Sequence, residues 1–402
     1  ENNLFSNVKL RASYGSIGNE RIPGNAQYSL ISSGQNAVFG DYGNGAIYPG
    51  ASYSSGGNPF LKWEQTQQTD IGVEFGLFEN RILAEVDYYY KRTNDILVNL
   101  EPIGYTGIGS FQSIFYNAAD VQNQGFDWNL TYRSDASKEF TYELGFLGST
   151  VKNKVLDLGQ GIGADSLLVG GDLGNGQRVS RSSVGQPIGY FYGYQVEGVF
   201  QNQAELESSP VLFGQGVGDL KYSDINGDGK IDGKDRTRIG NSIPSFIFGF
   251  NASASYKNLS ISADIQGQTG NDIYNGKQAI RFALLNYEEK YNDRWTSEGS
   301  TNEHFIASPG GTNFTPSSYF VEDGSFIRLR NLTLSYDLSQ RLLNRLKLNN
   351  ARFYIRGTNL LTLTRFTGYS PDIGAGNATS GVIDLGSYPI TRVFSFGFNF
   401  NL

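Results

Sequence analysis

The sequence predicts an all-β protein, an antiparallel β-barrel that spans a membrane. Three observations carry this: apolar and polar residues alternate over long stretches, connections alternate between short and long, and Gly and aromatic residues are abundant. Alternation with period two builds a one-sided strand, whereas an amphipathic helix would repeat its apolar residues at i, i+3 and i+4. Gly (51 of 402 residues) and aromatics (14%) both disfavour helix, and so many aromatics need burial, which argues against disorder.

The strands follow in order. Val8, Leu10, Ala12 and Tyr14 oppose Lys9, Arg11, Ser13 and Gly15, and Ile71, Val73, Phe75 and Leu77 oppose Asp70, Gly72, Glu74 and Gly76. Ile82, Ala84, Val86, Tyr88 and Tyr90 form a third apolar face, and Phe126, Trp128, Leu130 and Tyr132 a fourth. Phe246, Phe248, Phe250, Ala252, Ala254 and Tyr256 alternate with Ser, Gly and Asn, with Ile247 the exception. Leu259, Ile261, Ala263 and Ile265 come next, then Phe353, Ile355, Leu361 and Leu363, and finally Phe394, Phe396, Phe398, Phe400 and Leu402. One strand breaks phase: Leu332, Leu334, Tyr336 and Leu338 share a parity with Arg328 and Arg330. Either its first half projects above the membrane or a bulge near Asn331 resets it.

A soluble sandwich is the bland alternative. Against it, several segments approach the roughly nine to eleven residues of a membrane-spanning strand, and their polar faces are small and hydrophilic, as a wet lumen requires. Tyr at strand ends suits an interfacial girdle. The mean hydropathy of −0.35 is compatible with a membrane, because only alternate residues of a barrel strand face lipid.

Short connections fall at 78–81, 134–138, 257–258 and 339–350, and long ones at 18–62, 99–119, 155–244, 267–325 and 365–391. Short periplasmic turns and long extracellular loops show this asymmetry. Ten strands result, the first rising from the periplasm and the last returning to it. The 189–200 segment, with Tyr190, Tyr192 and Tyr194, reads as strand within the longest extracellular excursion, 155–244. The sequence contains no Met, so we expect part of a longer product.

A net charge of −7 offers nucleic acid no basic surface. The absence of Cys excludes disulfides and thiolate metal sites, and the single His, His304, leaves little room for imidazole catalysis. The sharpest chemical motif is the loop 224–235, where Asp224, Asn226, Asp228, Asp232 and Asp235 stand at calcium-loop positions 1, 3, 5, 9 and 12. Lys230 would offer its backbone carbonyl at position 7, and Gly229 at position 6 allows the sharp turn. We expect a structural Ca2+ there, with Asp in place of Glu at position 12 shortening the reach. A solvated Asx/Gly turn without metal is the alternative. Gly-rich stretches at 159–163 and 170–176 lack the Gly-Lys-Ser/Thr of a phosphate loop. His304 is expected at the surface, Trp63 and Trp128 on outward faces, and Trp295 in a loop open to a substrate or partner. Tyr190, Phe191, Tyr192 and Tyr194 would either stack on sugars or pack a loop core.

Several stretches resemble the SusC/RagA-like TonB-dependent outer-membrane transporters of the Bacteroidota: 58–75 (NPFLKWEQTQQTDIGVEF), 218–250 (GDLKYSDINGDGKIDGKDRTRIGNSIPSFIFGF), 270–274 (GNDIY) and 319–334 (YFVEDGSFIRLRNLTL). The resemblance implies a plugged barrel of about 22 strands, of which these would be the last ten. It implies TonB-driven import of an oligosaccharide or peptide across the Gram-negative outer membrane, with a SusD-like surface lipoprotein as partner. TonB itself would act through a segment upstream. The final Ser395–Leu402 stretch is similar to the C-terminal signal of outer-membrane barrels, with Leu402 where an aromatic is common. No catalysis is expected. The rivals are a self-contained ten-stranded barrel hydrolase and a soluble β-rich binding or adhesive protein.

Overall fold

The computed structural model describes residues 4–40, 44–100, 114–159, 167–280, 288–308, 310–374, 376 and 379–401. Ten long strands form its wall: β1 (Phe5–Asn19), β2 (Glu64–Leu77), β3 (Ile82–Leu100), β4 (Ile114–Arg133) and β5 (Phe140–Thr150), then β6 (Phe246–Tyr256), β7 (Leu259–Thr269), β8 (Phe326–Asp337), β9 (Asn350–Thr364) and β10 (Val393–Asn401). Each pairs antiparallel with its neighbour in sequence, so the wall is one meander. A short strand, Lys152–Asp157, pairs with the upper part of β4 beside β5. Among the described residues β1 and β10 do not pair with each other, so the sheet is open, unlike the closed ten-stranded barrel of the hydrolase reading. No helix is long and apolar enough to cross a membrane, a test that does not address strands.

The register keeps the alternating faces in line. Ile261, Leu334, Ile355 and Phe396 form a row across four strands, and their neighbours Ser262, Thr333, Arg356 and Ser395 form a row on the opposite face. Ile261, Leu334 and Ile355, on interior strands paired on both sides, are still 44–49% exposed, as a face turned to lipid requires. The 11-residue strands β5 to β7 are about 36 Å long at about 3.3 Å per residue, which gives a band of about 25–30 Å once tilted. At the short-turn end, Tyr132 lies 5.7 Å from Tyr142, and Tyr142 lies 5.7 Å from Phe140, forming part of an aromatic girdle.

The phase break in β8 is a bulge. Asp264 pairs with Asn331 and Ile265 with Leu329, leaving Arg330 unmatched between them. On β9 the same step spans Asn359, whose left-handed φ of 54° accommodates it. The reset turns Ile327 and Leu329 outward with Leu363 and Leu361, and it brings Arg328 to the lumen side with Thr362.

Among the described residues, the long connections after β1, β5, β7 and β9 lie at one end. Those at 151–245, 270–325 and 365–392 fold together into a roof. Leu167–Asp172, Arg178–Ser183, Tyr190–Tyr194 and Arg236–Gly240 make a four-stranded sheet, and Val196–Val199 pairs with Leu220–Tyr222. Single bridges join Tyr194 to Ser317 and Tyr274 to Ile383, and Ser180 Oγ donates to the Thr379 carbonyl at 2.7 Å. The roof has an ordinary aromatic core, with Phe191, Tyr274, Phe305 and Phe320 almost wholly buried. The 20–63 connection instead makes two small exposed hairpins, Leu30–Ser33 with Ala51–Ser55 and Ala37–Phe39 with Ala46–Tyr48.

Candidate functional site

The lumen face is polar and its charge is unevenly spread. Glu74, Glu85, Asp87, Asp127 and Glu143 point inward from β2 to β5, while Arg328, Arg330 and Arg356 stand on β8 and β9. Arg11 gathers three of the acids, reaching Glu74 at 2.7 Å, Asp87 at 2.6 Å and also Glu85. On the arginine side, Arg330 donates to Gln266 at 3.1 Å and Arg356 to Thr333 at 3.2 Å. Ile247 breaks its strand's polar parity because it faces the lumen beside Leu147 across the β5–β6 pair. Together they edge a cavity of about 500 Å³ that Asp264 and Arg330 also line.

Arg328 ties wall to roof. It is 3% exposed, donates to Asp372 at 2.8 Å and Thr362 at 3.0 Å, and also reaches Ser370. A second buried polar knot holds the roof's own loops together. Lys277 lies 3.5 Å from Asp384 and 3.7 Å from Glu288, Lys290 donates to Gln278 at 2.7 Å, and Gln278 donates to Glu288 at 2.6 Å. Burial lowers the Lys290 pKa, opposed by Glu322 and Glu288. Neither knot follows from the sequence, although the phase break around Arg328 marks one of them.

The acidic loop 224–235 is built on its own amides. Asp224 accepts from Gly227 at 2.7 Å and Gly229 at 2.8 Å, Asn226 accepts from Asp228 at 2.8 Å, and Asp228 accepts from Lys230 at 3.1 Å. Gly229 takes φ +80°, the conformation position 6 calls for. The two ends differ from the front. Asp232 caps a short 3-10 turn, Gly233–Asp235, by accepting from Lys234. Asp235 is fully buried and accepts from Asp232, Ile225 and Asn226, clamping the start of the loop to its end. Those amides, the Asp232 N–H first, hold its carboxyl below the ordinary carboxylate range. Among the described residues no three acidic or histidine side chains already converge as a metal cluster.

The remaining candidates resolve by packing. Tyr190, Phe191 and Tyr194 are buried in the roof, and Tyr192 stacks under Arg181 at 3.5 Å, so this run packs a loop core. His304 is half-buried rather than a surface residue, with Nδ1 3.0 Å from the Tyr319 hydroxyl. Trp295 packs against the roof core and over Gly218, and its amide donates to the His304 carbonyl, so it is no open contact residue. Trp63 is exposed and Trp128 sits in an outward aromatic row with Phe126 and Phe246. Gly170–Asp172 is strand, whereas 160–163 and Leu402 lie outside the described residues.

Comparison with known proteins gives this arrangement a family. The family described as TonB dependent receptor-like, beta-barrel, matches residues 3–267. This chain is a member of that family. TonB-dependent receptor P26 of Formosa agariphila is 35% identical over 98% of the chain, and receptor P3 of the same organism is 30% identical over 99%. TonB-dependent receptor SusC of Bacteroides thetaiotaomicron is 24% identical over 98%. The chain spans about 40% of the length of these curated relatives. Among solved structures, the RagAB peptide transporter superposes over 100% of this chain and 41% of its own, with a TM-score of 0.78 at 24% identity, a likeness of fold. TonB-dependent receptor barrels of this kind reside in the outer membrane, which removes the soluble reading. The relatives are receptors rather than enzymes, which removes the hydrolase reading.

Proposed function

We propose that this TonB-dependent receptor barrel serves TonB-driven import of an oligosaccharide or peptide across the outer membrane, working with a SusD-like surface lipoprotein. In this reading the chain supplies ten strands of a larger plugged wall and much of its extracellular roof. The observation that supports it most is the one-sided architecture: an open meander, apolar outside and polar inside, roofed only at the end that carries the long connections. Such a wall offers a wet route and a lid. The test is uptake of labelled oligosaccharides and peptides by cells with and without the receptor. Uptake should require the receptor and stop when the proton gradient is dissipated; receptor-independent uptake of every cargo would overturn the proposal. The native polypeptide should also exceed twice the 44.2 kDa of this chain.

We further propose that the 224–235 loop holds a structural calcium. Asp224, Asn226, Asp228 and Asp232, with the Lys230 carbonyl, would supply oxygen ligands, while Asp235 fixes the loop's closure. What supports it is the amide scaffold, which already orients Asp224 and Asp228 from Gly227, Gly229 and Lys230. Metal content of the purified receptor should fall by one calcium in the Asp224→Ala, Asp228→Ala variant, and equal content would remove the site.

A further inference from the structure

The lipid face of the last wall strand does not specify its own register. Outward from β10 stand Phe394, Phe396, Phe398 and Phe400, one residue type repeated at spacing two, against Gly357, Ile355, Phe353 and Ala351 of β9. A slip of one residue would turn all four rings into the lumen, so the two faces exclude it. A slip of two residues keeps every ring outward, and the lipid face reads the same in either position. The turn does not choose either. A tight hairpin fixes register through its loop, but β9 and β10 are joined by the long 365–392 connection. The ladder between them runs from Asn350–Asn401 to Thr358–Val393 without a bulge.

The lumen face does choose. It carries Ser395, Gly397, Asn399 and Asn401, of which only Gly397 lacks a side chain. Tyr354 of β9 pairs directly with Gly397, and its ring closes over that gap. A Cβ at residue 397 would stand 2.5 Å from the Tyr354 hydroxyl oxygen and 2.7 Å from Cε1, closer than such atoms approach. A two-residue slip would bring Ser395 or Asn399 beneath the ring, each with the Cβ that the space excludes. The ring is braced in turn, with the Arg356 guanidinium 5.9 Å from its centroid and Arg356 tied to Thr333 of β8. The same device recurs at β3–β4, where Tyr89 pairs with Gly125 and crosses it to donate to the Thr150 carbonyl at 2.9 Å. A Cβ at residue 125 would stand 2.8 Å from the Tyr89 hydroxyl. A ring seated over a cross-strand glycine is one way a sheet pins register where pattern and turn do not.

We infer that Tyr354 and Gly397 form the register lock of the terminal strand, and that Gly397 acts through this seat rather than as a letter of the C-terminal signal that Ser395–Leu402 is similar to. The lock fixes the height at which β10 offers its free edge to the next strand of a larger wall. The experiment uses the full-length receptor in its own outer membrane, with cysteine pairs reporting register against single-cysteine controls. Arg352→Cys with Asn399→Cys crosslinks in the native register. Arg352→Cys with Asn401→Cys, or Arg356→Cys with Val393→Cys, crosslinks after a two-residue slip in one direction or the other. Native crosslinks should dominate with Tyr354 and with Tyr354→Phe. In Tyr354→Ala slipped crosslinks should rise about fivefold, the upper end for one cross-strand pair. Native crosslinks alone in Tyr354→Ala would overturn the inference. The second measurement is a double-mutant cycle on the amount of folded receptor in the membrane, read from gel mobility before and after boiling. Gly397→Ala should lower that amount beside Tyr354 and cost nothing further in the Tyr354→Ala background. No loss beside Tyr354, or an equal loss in both backgrounds as expected of a factor that reads the chain terminus, would end the lock. Neither readout involves cargo, so the import reading stands or falls separately.

Discussion

Wall and roof are built from the same residue types placed in opposite ways. In the wall large apolar side chains stand exposed on one face, and polar ones turn inward to pair across the lumen, as Arg11 does with Glu74 and Asp87. In the roof the order reverses: Phe191, Tyr274 and Phe320 are buried and the charges lie outside or in sealed knots. The difference shows that hydrophobic burial is always relative to a solvent. The wall leaves its apolar surface for lipid and holds its shape through ladder hydrogen bonds, whereas the roof stands in water and must make its own core.

That contrast can be broken most directly in the roof. Phe320→Ala should remove about 3–5 kcal/mol of roof stability, since a fully buried ring that touches Tyr274 and Tyr319 leaves a cavity. Limited proteolysis should then cut the 151–245 and 270–325 connections while the wall stays assembled. Loss of both together would show that the two regions are one cooperative unit. The second comparison sits within one strand. Ile265→Arg on the lipid face of β7 should cost about 2–4 kcal/mol of folding into lipid vesicles, while Ser262→Arg on the lumen face should be close to neutral. Equal costs would mean that the faces are wrongly assigned.

A smaller effect is expected where the two regions join. Asp372→Ala would leave the buried Arg328 guanidinium with Thr362, Ser370 and the face of Phe326, at a cost of about 1–3 kcal/mol. Hydrogen exchange should quicken in 366–374 and not in β8. The smallest effect is a proton. Burial first, then the Lys290 cation, lowers the His304 pKa below 6.5. The unfolded chain therefore binds that proton more readily than the folded one. The contribution of the neutral His304–Tyr319 pair is complete above 6.5 and is lost as pH falls through the lowered value. A His304→Gln variant identifies its labelled imidazole in the titration, and a midpoint at or above 6.5 would contradict the packing.

Legibility in the sequence divides along the same line. A wall strand announces itself because its environment changes every second residue, so most strands with their faces, and the short and long connections that bracket β5, could be read before any coordinates. Even the irregular strand was marked, since Arg328 and Arg330 sat on the wrong parity, and the bulge at Arg330 is the cause. The roof core has no period to read. Tyr194 stacks on Tyr222, Phe191 meets Tyr274, and Phe305 meets Phe314 and Tyr319, through short strands and turns brought together from two connections. For the same reason the sequence left Tyr190 to Tyr194 open between ligand and core and placed His304 and Trp295 too near the surface. The acidic loop was visible as spacing, but its division into an oriented front and an Asp235 clamp depends on backbone direction, which spacing does not carry.

The cross-bracing of the roof sets where such a receptor can change. The 151–245, 270–325 and 365–392 connections share one core and are stitched at Tyr194–Ser317, Tyr274–Ile383 and Ser180–Thr379, so an insertion in any of them disturbs the other two. The 20–63 connection carries two hairpins whose residues are almost all exposed, with only Ala26 buried among those described. It is tied to β4 through Asn58, which donates to the Phe115 carbonyl at 3.0 Å, and Lys62, whose amide donates to Asn117 at 2.8 Å, so new sequence in the hairpins leaves the roof core unmoved. Sequence change would accordingly start at these exposed hairpins, while the woven centre drifts slowly and only by coordinated substitution.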